Sequence, residues 1–332
     1  MSNNIQVQLA SYPDGTPEPE HFALVTTSIP QVAEGQVLCQ TLYLSLDPYM
    51  RSQIAGRHIS GSVVPGDVMR GETVSRVMES RHSDFKPGDL VRCFGGWQKF
   101  SLHEAKELHP VPGIISPVSY ALSVLGMPGL TAYAGLIWQA KPKPGDVVVI
   151  PAAIGGVGST AGQLAKIYGC RVIGIAGSDE KCRYAVKELG YDACINRKTE
   201  NISQRLDELC PEGIDIYFDL VGGEMLHIVS ERLAVGARVI LCGLMAEYNN
   251  KERQVGPPPG LWIKARATIY GLVVYDFEQR RAEFIDSCLP YIRDGRLKMR
   301  EDIAEGLEKA PEAFCRLMRG ENMGKALVHV SS

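Results

Sequence analysis

Apolar residues in the middle of the chain fall into short unbroken runs, with amphipathic stretches between them. Asp146–Val147–Val148–Val149–Ile150 is one such run, ended by Pro151 and followed by a Gly-rich turn and an amphipathic stretch, Val157 to Tyr168. The alternation continues with strand Arg171–Ala176, helix Asp179–Leu189, strand Ala193–Asn196 and helix Ile202–Leu209. Strand Asp215–Leu220, helix Glu224–Ala234 and strand Ala237–Cys242 come next, then a sixth strand at Thr268–Val273 and a helix from Phe277 into Tyr291. Runs that are apolar throughout, rather than at every second residue, belong to strands covered on both faces. Strands alternating with helices build right-handed βαβ units on a parallel sheet. The pattern predicts one doubly wound Rossmann-type domain over residues 125–293.

The N-terminal part reads differently. Gln36–Leu42, Glu72–Glu79, Asp89–Cys93 and Trp97–Leu102 are short β-type runs, divided by Gly35, Pro65–Gly66 and Pro87–Gly88. Such punctuation predicts a β-rich, barrel-like domain. The tail predicts a helix over Ile303–Arg319 and a strand over Ala326–Val330. It is too short to form a domain, so residues 294–332 are assigned with 1–124. The fold class is α/β: a doubly wound parallel sheet plus a β-barrel domain.

The turn after the first strand of the doubly wound region carries the strongest local motif. Ala152, Gly155 and Gly158 form an A-x-x-G-x-x-G pattern between a predicted strand and a predicted helix. A pyrophosphate needs a tight turn, backbone that it can approach without a Cβ in the way, and the free N–H groups of a helix N-terminus. Gly155, Gly156, Val157 and Gly158 are the candidates to supply these. A site for NAD usually offers a carboxylate at the end of the next strand. That strand instead ends Ile175–Ala176–Gly177–Ser178, with Lys181 one helical turn on and Arg197–Lys198 after the third strand. Cations there would pair a 2′-phosphate and favour NADP(H). Asp179 and Glu180 are competing partners for a ribose hydroxyl, and a solvated helix cation is the bland alternative for Lys181.

Composition narrows the classes. The net charge of −3 gives no basic excess for nucleic acid or an anionic membrane surface. The longest apolar runs are too short to span a bilayer, and Met1–Gln8 lacks the pattern of a secretory signal. Nine scattered cysteines, an odd number, fit a reducing cytoplasm better than a disulfide framework. No H-E-x-x-H or C-x-x-C occurs, and the seven histidines do not cluster at ligand spacing, so no metal site is expected. No G-x-S-x-G elbow occurs either.

Several segments together resemble a known family. They are VLCQTLYLSLDPYMR at Val37–Arg51, GMPGLTAYA at Gly126–Ala134, AGSDEK at Ala176–Lys181, YFDLVGG at Tyr217–Gly223, CGLMAEYN at Cys242–Asn249 and NMGK at Asn322–Lys325. In order and spread they resemble the zinc-independent branch of the medium-chain dehydrogenase/reductase superfamily, in the group of prostaglandin, alkenal double-bond and curcumin reductase-like enzymes. The resemblance implies a GroES-like β-barrel catalytic domain, a Rossmann domain, an active site between them, and a homodimer, for which we expect a sheet edge near Thr268–Val273 as the interface.

It also implies site residues. Gly155–Gly158 would hold the pyrophosphate, with Gly177, Ser178 and Lys181 at the 2′-phosphate. Arg197 would join them, standing where relatives often have Tyr. Cys242, Gly243 and Tyr248 with Leu272, Val273 and Val274 would line the nicotinamide side, and Asn322 would bond the cofactor from the tail. Leu220 stands where relatives often have Asn. Tyr248 is expected at the reacting centre and Tyr49 on the substrate side. The expected chemistry is hydride transfer from NADPH to the β-carbon of an α,β-unsaturated ketone or aldehyde, with a hydroxyl from Tyr248 or the cofactor ribose stabilising the enolate oxygen. A quinone reductase, an NADPH-binding sensor without turnover and a zinc alcohol dehydrogenase are the other readings. The loops around Ile54–Val64 and Glu247–Trp262 are expected to shape the substrate pocket.

Overall fold

Fifteen strands and nine α-helices account for most of the computed structural model, which describes residues 3–56, 58–250 and 255–331. In chain order the first part holds β1 (Asn3–Leu9), β2 (Phe22–Ser28), β3 (Gln36–Ser45), α1 (Met50–Gln53), β4 (Thr73–Ser80), β5 (Leu90–Cys93), β6 (Phe100–Glu104) and β7 (His109–Pro110). Then come α2 (Met127–Tyr133), β8 (Val147–Pro151), α3 (Gly156–Ile167), β9 (Arg171–Ala176), α4 (Asp179–Lys187), β10 (Ala193–Asn196) and α5 (Ile202–Leu209). β11 (Ile214–Asp219), α6 (Gly223–Ser230), β12 (Leu233–Leu241), α7 (Pro259–Ala265), β13 (Thr268–Gly271) and α8 (Arg281–Arg293) follow. The chain ends with β14 (Glu301–Glu305), α9 (Ala310–Met318) and β15 (Lys325–His329).

These elements divide into two units. One comprises Met1–Ser123, Glu301–Asn322 and Ala326–Ser332, the other Val124–Arg300 and Met323–Lys325. The division falls at 300/301 rather than the expected 293/294, because the connection stays bonded to the nucleotide-type unit. Leu297 N–H donates to the Tyr291 carbonyl, and Lys298 exchanges two hydrogen bonds with the Gln163 side chain on α3.

In the second unit all six strands are parallel, in the order β10-β9-β8-β11-β12-β13. This is the doubly wound order, whose direction reverses between β8 and β11; ligands of such sheets bind beyond the carboxyl ends of the strands at that reversal. Val148, Val149 and Ile150 are fully buried, as unbroken apolar runs require of a sheet covered on both faces. The helix expected over Glu224–Ala234 stops at Ser230, since Leu233 already begins β12 and pairs with Ile214. The start expected at Phe277 is a 3₁₀ stretch, Val274–Arg280, before α8.

In the first unit β3 is the organiser. It pairs antiparallel with β4, β6 and β15, in a seven-stranded sheet of order β14-β15-β3-β4-β5-β7 from which β6 branches. Register shifts within the β3–β4 ladder bend this sheet into a barrel-like form. Its core centres on Trp97, with Phe22 stacked at 5.6 Å and Phe314 of α9 edge-on at 5.6 Å. The tail departs from expectation. Residues from Ile303 were expected to be helical, yet Glu301–Glu305 is strand β14 beside β15. Gly306, at φ 88°, turns the chain out of the strand, and α9 begins only at Ala310. Sheet pairing overrides the helix propensity of Glu301-Asp-Ile-Ala-Glu305.

Candidate active site

The phosphate-type turn is built by backbone contact. Ala152 leaves β8 at φ 52°, a left-handed value. Its carbonyl then faces the first turn of α3, where a Cβ added to Gly158 would lie 2.4 Å away. Only glycine lets the helix start that close to the strand, which is the packing role of the last glycine in such motifs. Gly155 is the N-cap of α3 and has no side chain to cap it, so the helix presents bare N–H groups. A Cβ on Gly156 would meet the Lys325 stem at 2.9 Å and Pro128 at 3.0 Å.

Sequence reasoning missed two residues that support this turn. The Tyr191 hydroxyl donates its one proton to the Gly158 carbonyl at 2.7 Å, with the Ala153 carbonyl also in reach at 3.1 Å, and so braces the turn from behind. Its ring fills the space left by the absent side chains of Gly162 and Gly174. Burial holds this phenol well above its ordinary pKa, so it stays a donor. Lys325 is the other, buried and laid across Gly156. The available signal was the pairing of two small helix and strand positions, Gly162 and Gly174, with one aromatic residue.

At the ends of β9 and β10 the expected 2′-phosphate residues come together. Ser178 caps α4 by accepting the Lys181 N–H at 3.3 Å. Arg197 is exposed, and its guanidinium lies 3.6 Å from where a Gly177 Cβ would stand. Asp179, a rival ribose partner in the sequence, accepts a hydrogen bond from the Asn196 amide at 2.6 Å. A serine hydroxyl and an exposed guanidinium at these strand ends are groups that could meet a phosphate.

The remaining positions follow β11, β12 and β13. Asp219 is fully buried, and one of its oxygens accepts from Tyr217, Val221 and Gly222, closing the turn after β11. Its backbone carbonyl accepts the N–H groups of Cys242 and Gly243, which brings the next turn alongside. Gly243 has no room for a side chain, since a Cβ would lie 2.9 Å from the Leu220 carbonyl. Burial and Asp219 push the Cys242 thiol up to about 12, so it stays protonated. Half-buried Tyr248 accepts the Leu244 N–H at 3.4 Å. Burial also raises its pKa, leaving a neutral phenol with its own proton to donate. Leu272 is buried and bonded to Leu241, whereas Val273 is exposed.

Tyr49 and Asn322 belong to the other unit. Tyr49 caps α1, its ring stacked at 4.9 Å on His58, and Ser60 N–H donates to His58 Nδ1. Arg51, two residues on, is buried and holds the loop at Pro13 and Gly15 through their carbonyls. Asn322 borders a small hollow lined by Asp302, Ala304, Ala313, Arg316 and Ala326. Parts of the two expected pocket loops, residues 57 and 251–254, lie outside the described residues. Among the described residues no three His, Cys, Asp or Glu side chains gather as a metal site.

Comparison with known proteins now adds to this geometry. Residues 6–111 match the family model described as the N-terminal domain of oxidoreductase, and residues 156–289 match the one described as zinc-binding dehydrogenase. The NADPH-dependent curcumin reductase of Escherichia coli (strain K12) is 41% identical over 97% of this chain and 96% of its own. The chain belongs to the zinc-independent medium-chain dehydrogenase/reductase family of NADP-dependent oxidoreductases. The 2-alkenal reductase (NADP(+)-dependent) of Nicotiana tabacum is 38% identical over 99% of this chain and 98% of its own. The crystal structure of CurA from Vibrio vulnificus in complex with NADPH superposes with a TM-score of 0.94 at 40% identity, covering 99% of both chains. The NADP dependence of these relatives is compatible with a doubly wound sheet that carries a glycine-rich turn, the kind of unit that binds dinucleotides.

Proposed function

We propose that this protein reduces the carbon–carbon double bond of α,β-unsaturated ketones and aldehydes with NADPH. The observation that carries the reading is the full-length likeness to a curcumin reductase and a 2-alkenal reductase. The geometry supports it in each unit. Gly155–Gly158 would hold the pyrophosphate, Ser178, Lys181 and Arg197 the 2′-phosphate, and Cys242, Gly243 and Leu272–Val274 the nicotinamide side. Bound NADPH would supply the hydride for the β-carbon. Tyr248 would donate its phenol proton in a hydrogen bond to the substrate carbonyl, where negative charge gathers as the enolate forms. Its raised pKa keeps that proton in place at neutral pH, and the Leu244 N–H orients the oxygen. Tyr49 would line the substrate side, and Asn322 would bond the cofactor.

Such a donor typically contributes about 2.7–4 kcal/mol to the transition state. Tyr248→Phe should therefore lower kcat for an enone about 100-fold, with little change in NADPH affinity. Unchanged turnover would remove the hydroxyl from the chemistry. The decisive assay combines purified protein, NADPH and an α,β-unsaturated ketone, with the product identified. A saturated ketone confirms the reading, turnover of quinones alone moves the protein to quinone reduction, and silence with both leaves a nucleotide-binding sensor.

We further infer a homodimer joined near β13. This strand ends the parallel sheet, and its Thr268–Gly271 backbone carries no Pro or charge to discourage pairing. Sedimentation as a monomer at micromolar concentration would overturn it. The nine free thiols suit a reducing, cytoplasmic location.

A further inference from the structure

Cys182 on α4 and Cys194 on β10 stand with their sulfurs 3.0 Å apart, although 12 residues separate them in the chain. Both are free thiols; Cys182 is buried and Cys194 partly exposed. We propose that Cys182 and Cys194 form a reversible, peroxide-responsive disulfide that weakens NADPH binding. A disulfide requires sulfurs about 2.05 Å apart, so closing the pair draws α4 and β10 together by a small shift. The effect on NADPH rests on the reading that Ser178, Lys181 and Arg197 hold the 2′-phosphate.

The position of the pair explains why that shift matters. Lys181 directly precedes Cys182, and Ser178 caps the same helix. Arg197 follows β10 directly, and Asn196 of β10 holds Asp179 of α4. Cys194 is in register with Gly174, whose missing side chain makes room for the Tyr191 ring under the phosphate turn. One covalent bond would thus displace both cations and the Tyr191 support together.

The chemistry balances with a peroxide as oxidant. The Cys182 thiolate attacks one peroxide oxygen, the O–O bond breaks, and hydroxide leaves, giving a sulfenic acid. Cys194 sulfur then attacks that sulfur and expels hydroxide, which with the two thiol protons yields a disulfide and two waters. The Cys194 S–H donates to the Cys182 sulfur at 3.0 Å, a hydrogen bond that favours a thiolate at Cys182. A small dithiol reverses the bond by exchange.

The test treats full-length protein with hydrogen peroxide, maps peptides by mass, and titrates NADPH and NADH before and after. The expected result is a Cys182–Cys194 peptide and a several-fold rise in the NADPH dissociation constant, with NADH little changed and recovery on adding dithiothreitol. C182S and C194S, kept reduced, should bind NADPH like the wild type and lose the peroxide response. No such peptide, a bridge with unchanged NADPH affinity, or the same affinity loss in C182S would overturn the proposal. Lys181→Ala in reduced protein separates the two readings: an undiminished preference for NADPH over NADH would sink the 2′-phosphate assignment, while the mass map still reports the bridge.

Discussion

Tyr191 shows how one hydroxyl can carry a site that it never touches. It sits behind the turn, not in it, and donates to the Gly158 carbonyl with the Ala153 carbonyl 3.1 Å away. Tyr191→Phe keeps the ring that fills the space at Gly162 and Gly174 but removes that hydrogen bond. A lost hydrogen bond of this kind is worth about 1 kcal/mol, so the NADPH dissociation constant should rise about fivefold while kcat at saturation holds. Equal losses in kcat and affinity would mean that the hydroxyl serves the chemistry rather than the turn. The glycine motif was legible because its need is local: strand, turn and helix lie within one short segment. Tyr191 was not, since its partners are 33 and 38 residues away in the chain. Asp179 illustrates the same limit. In the sequence it competes with Lys181 for this end of the nucleotide, and its hydrogen bond from the Asn196 amide, 17 residues away on the neighbouring strand, is invisible there.

Among the elements, β9, β10 and α5 fall within their expected bounds because burial and capping agree there; Asn201, for example, caps α5 by accepting the Gln204 N–H at 3.0 Å. β1 and β2 escaped notice. Polar residues interrupt both runs, and their partners, each other and for β1 also residues 67–69 and 97–99, are not visible in the sequence. The sequence around β14 reads as helix because Ala304 and Glu305 are good helix formers, and the ladder to β15 is invisible in it. Gly306 is the switch between the two outcomes. At φ 88° it ends the strand, and a side chain there would also press on Glu308. Gly306→Ala should destabilise the protein by about 1–3 kcal/mol, read as a lower urea midpoint at unchanged slope. No change would mean that the tail tolerates a continued helix.

At the scale of the whole molecule, the two units share no gathered ligand set for a metal among the described residues. The histidines explain why. His103 bonds Ser101 at 2.8 Å and stands 3.6 Å from Glu107, His329 pairs with Glu305, and His227 stands 3.5 Å from Glu231. His103 also lies beside Cys93, which lies beside Cys39, yet no three such side chains gather as ligands for a metal among the described residues. Stability and turnover should therefore depend on the nucleotide and not on a divalent ion. NADPH at 100 times its dissociation constant should stabilise the folded protein by about 2.7 kcal/mol. Exhaustive dialysis against a strong chelator should leave that gain, the melting temperature and kcat for an enone unaltered. A loss of kcat that zinc restores would instead return the chain to metal-assisted alcohol oxidation, where a bound Lewis acid polarises the reacting oxygen. The two outcomes differ in mechanism, because a conjugated carbonyl needs only a placed donor such as Tyr248, whereas an unactivated alcohol needs its oxygen made acidic.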